Sequence, residues 1–375
     1  MKVEIIQEKF AKALNHINKA ISNRPNIPVL ANVLIETEHG SLKLSSTNLE
    51  IGIIAKIGAE IIDEGKTTVS AKLLSEFINS LKPGKIQIEL KDQMLSVQSV
   101  DNNADFCVIS ADEFPNVPSS EGKALLELNA NEFARAVDKV TFAASTDNSR
   151  PVLTGVLTKI TKRNMTLVGV DGFRLSQILT KIEDGPEEDF REIIPAKTMQ
   201  EISKIIKDTA TEKEKLEIYS LKKNNQVVYK IGNIELVSRL IEGDFPNYED
   251  IIPKDKQFSF NVLKQDLANG VKIVSIFARN VIGNKTRFTI EPDENKLKLS
   301  AVVIDVGNNE SSIDISTPVG EKLETSYNAK FMQDMINSIE GDEIIFETNG
   351  VTAPGVFKDK NNEAYLHIIM PMRLD

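Results

Sequence analysis

Apolar positions along this chain switch between two periods, and they do so six times. Near residues 7–21, 71–82, 130–144, 196–207, 261–279 and 329–339 they return every three or four residues, the spacing of an amphipathic helix. In the second stretch Leu73, Leu74, Phe77, Ile78 and Leu81 make one stripe, and Pro83-Gly84 ends it. Asn129 and Asn261 stand where N-caps belong. Between the helices the period falls to two. Val3-Glu4-Ile5-Ile6, Leu34-Ile35-Glu36-Thr37, Ile51-Gly52-Ile53-Ile54, Lys85–Leu90 and Asp342–Glu347 read as strands. Ala124–Leu128 and Phe258-Ser259-Phe260 read as extended segments ahead of a helix.

These elements repeat as words as well as periods. Ala71-Lys72-Leu73-Leu74-Ser75-Glu76-Phe77 returns as Ala196-Lys197-Thr198-Met199-Gln200-Glu201-Ile202 and as Ala329-Lys330-Phe331-Met332-Gln333-Asp334-Met335, at intervals of 125 and 133 residues. Phe10-Ala11-Lys12-Ala13-Leu14 returns as Phe133-Ala134-Arg135-Ala136-Val137, and Glu113-Phe114-Pro115-Asn116 as Asp244-Phe245-Pro246-Asn247. A period that long is a whole-domain repeat. The pattern predicts an α+β protein of three repeated domains, 1–120, 121–253 and 254–375. Each carries two amphipathic helices on one side of antiparallel sheets. Junctions fall at Val117–Gly122 and Ile252–Asp255, both with proline and polar residues.

The 375-residue chain has the apolar and charged shares of a globular protein, and no apolar run approaches membrane-spanning length. Met1-Lys2-Val3-Glu4 does not read as a secretory signal. A lone cysteine, Cys107, excludes an internal disulfide, fits a reducing cytosol and is expected as an inert buried residue. A cytoplasmic location is therefore expected. Net charge is −10, which argues against a polyanionic partner unless the charge is segregated. Over the six helix stretches fourteen Lys/Arg face seven Asp/Glu, a surplus of seven, so the remainder carries −17. Basic helices on an acidic frame can hold a polyanion on one side and repel it elsewhere; the plainer alternative is that these lysines solvate exposed faces. No aromatic residues interleave with them, so any DNA contact should be to phosphate without base readout. His16, His39 and His367 have no partners that would make ligands or a base, and no phosphate loop, dinucleotide fingerprint or nucleophile elbow is present. Asp171-Gly172 reads as a strand turn. No catalytic residue, metal or cofactor is expected. An acidic repeat scaffold that binds proteins and no DNA is the rival reading.

Several phrases name a family. Arg24-Pro25-Asn26-Ile27-Pro28-Val29-Leu30, Arg150–Leu157, Val170-Asp171-Gly172-Phe173-Arg174-Leu175-Ser176, Gly243–Tyr248 and Ile369-Met370-Pro371-Met372-Arg373-Leu374 occur in the order found in bacterial DNA polymerase sliding clamps, which the chain resembles over its full length. The resemblance implies a head-to-tail homodimeric ring of six domains around double-stranded DNA, bound without regard to sequence. It also implies a surface that tethers the replicative polymerase, the clamp loader and repair polymerases through a short linear motif, with no membrane contact and no chemistry of its own. A domain of this length has a radius of gyration of about 14 Å, so six in a ring leave a hole of roughly 35 Å and three leave only about 5 Å. Duplex DNA, roughly 20 Å across, passes only the larger.

By the same resemblance Arg24, Lys72 and Lys197 lie nearest the duplex, with Asp147, Pro151 and Val152 in a loop where some relatives carry an amide and aromatics. A partner pocket would be built from Leu153, Thr154, Gly155, Val170, Gly172, Phe173, Arg174, Leu175, Pro246, Asp250, Ile251, Ile368, Ile369, Met370, Pro371, Met372, Arg373 and Leu374. On residues alone the final run reads as a core strand. Met370 and Met372 are also flexible apolar groups suited to varied partners. Phe173 stands where histidine is common in the family, Glu249-Asp250 where a basic pair is common, and Asp375 follows the usual last leucine.

Overall fold

The computed structural model describes residues 1–22, 25–253 and 255–373. Arg24 and Leu374, both expected at functional surfaces, lie outside the described residues, as do Asn23, Lys254 and Asp375.

The first repeat runs β1 (Lys2–Ile6), α1 (Gln7–Ile17), β2 (Asn32–Glu38), β3 (Ser41–Thr47), β4 (Ile51–Gly58), β5 (Glu60–Asp63), β6 (Lys66–Ser70), α2 (Ala71–Ser80), β7 (Lys85–Lys91), β8 (Met94–Gln98) and β9 (Asn103–Ile109). The second runs β10 (Leu126–Asn129), α3 (Ala130–Thr141), β11 (Gly155–Ile160), β12 (Asn164–Val170), β13 (Arg174–Lys181), β14 (Phe190–Pro195), α4 (Ala196–Thr209), β15 (Lys215–Leu221), β16 (Gln226–Ile231) and β17 (Ile234–Arg239). The third runs β18 (Phe258–Leu263), α5 (Lys264–Ala278), β19 (Lys285–Glu291), β20 (Lys296–Val303), β21 (Gly307–Val319), β22 (Leu323–Asn328), α6 (Ala329–Ser338), β23 (Glu343–Thr348), β24 (Gly355–Asp359) and β25 (Asn362–Ile369). The order strand, helix, strands, helix, strands is the same each time. In β21 one long strand takes the places of β4 and β5: its first half pairs with β20 and its second with β18.

The chain divides into two compact units, residues 1–134 with 201–240, and 135–200 with 241–375. The first holds a 13-stranded sheet in the order β10-β15-β16-β17-β4-β3-β2-β6-β9-β8-β7-β1-β5. The second holds a 12-stranded sheet in the order β14-β11-β12-β13-β25-β24-β23-β18-β21-β20-β19-β22. The middle repeat therefore gives four strands to each sheet. In the first unit β17 continues the first repeat's sheet against β4, from Ile234↔Ala55 to Ser238↔Ile51. In the second, β25 continues the middle repeat's sheet against β13, from Arg174↔Ile369 to Ile178↔Tyr365. These joints bury backbone donors and acceptors that would otherwise be exposed sheet edges.

Core chemistry differs between repeats. The first repeat is filled by aliphatic side chains such as Val3, Leu14, Ile35, Leu44, Leu74 and Ile88. The third is built on an aromatic knot of Phe260, Phe288, Tyr327, Phe346 and Phe357, with Phe346 lying 5.0 Å from Phe260 and 5.1 Å from both Phe288 and Phe357. The segment expected as a polar linker at 117–122 is pinned instead. Val117 fills the space above Gly52, 2.7 Å from where a Cβ would stand. Ser120 donates its N–H and its hydroxyl to the Glu235 carboxylate at 2.8 and 3.0 Å.

Four sequence expectations are corrected. Asn261 is not a cap: it lies inside β18, because the strand runs on to Leu263 before α5 begins. Asn129 does cap α3, its Oδ1 accepting the Glu132 N–H at 3.1 Å. Leu73 leaves its stripe and is 55% exposed, since one helix face cannot bury both Leu73 and Leu74 with Ile78. Cys107 is exposed on β9. Within the observed helix ends, eleven basic residues face eight acidic ones, a surplus of three instead of seven. Lys19, Lys82 and Arg279 fall just past helix ends, and Asp208 joins α4.

Candidate functional site

The expected pocket residues collect within the second unit. Leu153, on a single 3-10 turn at Pro151–Thr154, packs with Val170, Leu175 and Ile368 in one buried apolar cluster. That cluster also contains Leu157, Val168, Ile193, Phe245, Tyr248 and Val356, which the sequence pattern did not place there. Phe245 and Tyr248 were legible in principle: they are the two aromatics of the Asp244–Tyr248 phrase, and burying both folds the chain so that Pro246, Asp250 and Ile251 stand exposed beside them. Gly155 is required by close approach, since a Cβ there would run into the Ile193 side chain. Gly172 is required by conformation, with φ +92° in the turn between β12 and β13.

That turn presents Phe173, 67% exposed, directly to solvent. Asp171 holds the turn by accepting the N–H groups of Phe173 and Arg174 at 2.8 and 2.9 Å. Arg174 points inward. Its Nε donates to Asp171 Oδ2 at 3.0 Å, its Nη1 to Asp334 Oδ2 at 2.6 Å and its Nη2 to the Phe142 carbonyl at 2.6 Å. The guanidinium lies over the Phe331 ring, 4.4 Å from its centroid. Arg174 was expected to line the pocket; its planar fork is occupied by two carboxylates and a carbonyl, and it acts as a strut beneath the turn.

The C-terminal segment finishes the wall. Ile368 and Ile369 are buried in β25, as the plain core-strand reading expects. Beyond them Met370 donates its N–H to the Phe173 carbonyl, and Met372 donates its N–H to the Ser326 carbonyl, both at 2.8 Å. Met372 Cε closes over Gly283, 2.5 Å from where a Cβ would stand. Met370 remains 38% exposed, and Pro371 and Arg373 follow at the surface. The strand therefore becomes a fixed ledge that offers one flexible thioether beside an exposed phenylalanine.

The acidic pair is half neutralised. Lys159 Nζ reaches Glu249 at 2.7 Å and the Tyr248 hydroxyl at 3.1 Å, lying over the Tyr248 ring. The Lys159 hydrogen bond holds the Glu249 carboxyl below its ordinary range. Asp250 accepts a hydrogen bond from Asn247 Nδ2 at 2.6 Å and, among the described residues, meets no cation.

The expected DNA positions are scattered side chains, unlike the continuous pocket. Lys72 and Lys197 are exposed in the first turns of α2 and α4. Asp147 closes its own loop by accepting the Ser149 N–H at 2.9 Å and the Ser149 hydroxyl at 2.7 Å, which holds its carboxyl below the ordinary value and keeps it charged. Pro151 is exposed, and Val152 packs partly against the buried apolar cluster of Leu153 and its neighbours. Lys139, counted among the basic helix residues, is buried and paired with Glu340 at 3.1 Å.

The two buried histidines are held uncharged. His367 is fully buried, stacks on Phe142 at 5.4 Å, and has neither ring nitrogen hydrogen-bonded. Burial first, and the Arg174 charge second, push it down to about 3. His16 is likewise pushed down to about 4, chiefly by burial. Among the described residues no group of His, Cys, Asp or Glu is placed to hold a metal ion, and no helix is long and apolar enough to cross a membrane.

Three family descriptions match the chain end to end: "DNA polymerase III beta subunit, N-terminal domain" over residues 1–118, "central domain" over 127–247 and "C-terminal domain" over 249–373. The chain is 27% identical over 379 residues to the Beta sliding clamp of Synechococcus elongatus, and 26% identical over 383 residues to that of Bacillus subtilis, with all of both chains covered in each case. Among solved structures it is similar to the DNA polymerase sliding clamp from Bacillus subtilis, with a TM-score of 0.95 and 25% identity. It is also similar to the DNA polymerase III beta subunit from Thermotoga maritima, with a TM-score of 0.91 and 27% identity. Both superpositions cover 100% of each chain.

Proposed function

The chain belongs to the DNA polymerase III beta-subunit family of sliding clamps, and from that premise we propose how its surfaces divide the clamp's task. It is a processivity factor: it holds a replicative polymerase to its template and catalyses nothing itself. Two copies close head to tail into a ring around duplex DNA, with domains at 1–120, 121–253 and 254–375. The ring works in the cytoplasm, beside the DNA it encircles.

One observation carries the ring. Within each unit, the last strand of one repeat continues the sheet of the preceding repeat through that repeat's fourth strand: β17 on β4, β25 on β13. The same rule leaves two edges without a partner in one chain. Residues 103–107 of β9 pair only with β8, and residues 307–311 of β21 only with β20, among the described residues. A second copy supplies the missing partner for each, and the two equal joints close six domains. Beside the β21 edge Ile273, Ile276, Ile304 and Val306 are exposed, an apolar surface suited to burial by another protein.

DNA passes along the helices, contacted at phosphates by Lys72, Lys197 and Arg24. The loop with Asp147, Pro151 and Val152 contributes shape more than charge. The pocket from Leu153 to Leu175, with Pro246, Asp250, Ile251 and residues 368–374, takes a short linear motif from the replicative polymerase, the clamp loader and repair polymerases. Exposed Phe173 and Met370 over a buried floor support an apolar anchor. Asp250, which meets no cation among the described residues, supports motifs without acidic residues at that side.

Light scattering across a dilution series gives twice the 41.6 kDa chain mass, and a monomer at every concentration overturns the ring. After assisted loading onto a circular template, linearising the DNA releases the protein; retention on the linear form overturns encirclement.

A further inference from the structure

The three second helices start alike, and the third carries a cation that the surfaces described above leave unused. Lys72, Lys197 and Lys330 each occupy the second residue of their helix, in α2, α4 and α6, and all three are exposed. Each is followed four residues later by an acid: Glu76, Glu201 and Asp334. On a helix that spacing places the ammonium beside the carboxylate, where the acid would neutralise the lysine and compete with any external anion. The repeats treat this acid differently. Glu76 remains opposite Lys72, at 4.0 Å. Glu201 is taken by Lys204 at 2.8 Å. Asp334 is taken by Arg174 at 2.6 Å, with the guanidinium itself packed on Phe331.

We propose that Lys330 is a phosphate-contact residue for duplex DNA, the third repeat's counterpart of Lys72 and Lys197. Asp334 is drawn away from it, because Arg174, the first residue of β13, already engages that carboxylate. Lys330 therefore presents a full charge on a flexible stem, anchored at a fixed helix start. Asn328 Oδ1 caps that start by accepting the N–H groups of Lys330 at 2.8 Å and Phe331 at 3.3 Å. A compact ammonium on a mobile stem suits transient contacts to passing phosphates and reads no sequence. Arg174 thus has two roles, strut of the pocket turn and guard of a DNA contact. The proposal rests on the reading that these helices face the duplex.

The test is direct binding of the dimeric protein to a fluorescent duplex, followed by anisotropy across a salt series. Lys330→Ala lowers the slope of log affinity against log salt by about 0.9 for each phosphate the protein no longer neutralises. Lys330→Glu weakens low-salt binding to a similar degree as Lys197→Glu, while Lys296→Glu, an equal charge change on β20, leaves it unchanged. Wild-type affinity for Lys330→Glu beside weakened Lys197→Glu overturns the assignment of Lys330 and leaves the helix-face reading standing. Wild-type affinity for both overturns that reading with it. Equal weakening by Lys296→Glu also overturns the assignment, because the effect is then one of net charge.

Discussion

The proposed partner pocket and the proposed DNA-facing lysines at the helix starts are built on opposite principles. In the pocket, Leu153, Val170, Leu175 and Ile368 share one buried apolar cluster, and one short ledge carries Met370 against the turn at Phe173. Few side chains can be removed there without reshaping the whole. Lys72, Lys197 and Lys330 stand singly at equivalent helix positions in separate repeats, each exposed. Desolvated apolar anchors concentrate binding energy, whereas exposed charges share it out and lose it to salt. A surface that must recognise a partner uses the first principle, and a surface that must let DNA slide uses the second.

The largest expected effect falls where the two surfaces meet, at Arg174. Arg174→Ala leaves Asp171 and Asp334 partly buried without their cation, at a cost on the order of 3 kcal/mol of folding stability. Urea unfolding reads this as a lowered midpoint, and an unchanged midpoint refutes the strut. Next, Met370→Ala with Met372→Ala weakens a polymerase-tail peptide by about 2 kcal/mol, roughly 30-fold, without changing dimer mass. Unaltered peptide affinity puts the recognition site elsewhere.

Acid sharpens the contrast further. His367 titrates near 3 when folded and near its ordinary 6.5 when unfolded, so the unfolded chain binds the extra proton first as pH falls. Its contribution is complete above about pH 6.5 and is lost progressively down to about pH 3. His367→Phe, which keeps the stack on Phe142, shows a shallower loss of thermal stability between pH 6.5 and 4 than the wild type. A parallel pH profile for both proteins removes His367 from that account. The smallest effect is at the helices. Lys72→Glu with Lys197→Glu lowers DNA affinity at low salt, and the difference shrinks as salt rises; a salt-independent drop would indicate damaged folding instead of missing phosphate neutralisation.

Much of this was legible before any coordinates. The repeated Ala-Lys-x-Leu/Met phrase marked the second helix of each repeat, and all three begin at its alanine, because short-range periodicity and stop signals suffice to define a helix. The pocket expected from the resemblance leaves no trace in the residues alone, since Ile368 and Ile369 look like any buried strand. Phe245 and Tyr248 escaped because their burial depends on packing against Leu153, Val170 and Ile368, far away in sequence. The helix charge surplus was overstated because helix ends are the least local feature of a helix: Lys19 and Arg279 fell outside by one or two residues.

Local sequence is enough for the threefold repeat, the alternation of helix and strand and the lysine at each second helix start. Those are encoded within a turn or a strand pair, or in words that recur along the chain. Tertiary contacts alone settle which carboxylate each cation meets. Arg174 and Asp334 are 160 residues apart in sequence, yet their contact frees Lys330 while Glu76 still faces Lys72. The same long-range contacts divide the middle repeat's strands between two sheets and, among the described residues, leave part of β9 and of β21 paired on one side only. Charge pairing and sheet closure are set by distances through space, and a local pattern carries no record of them.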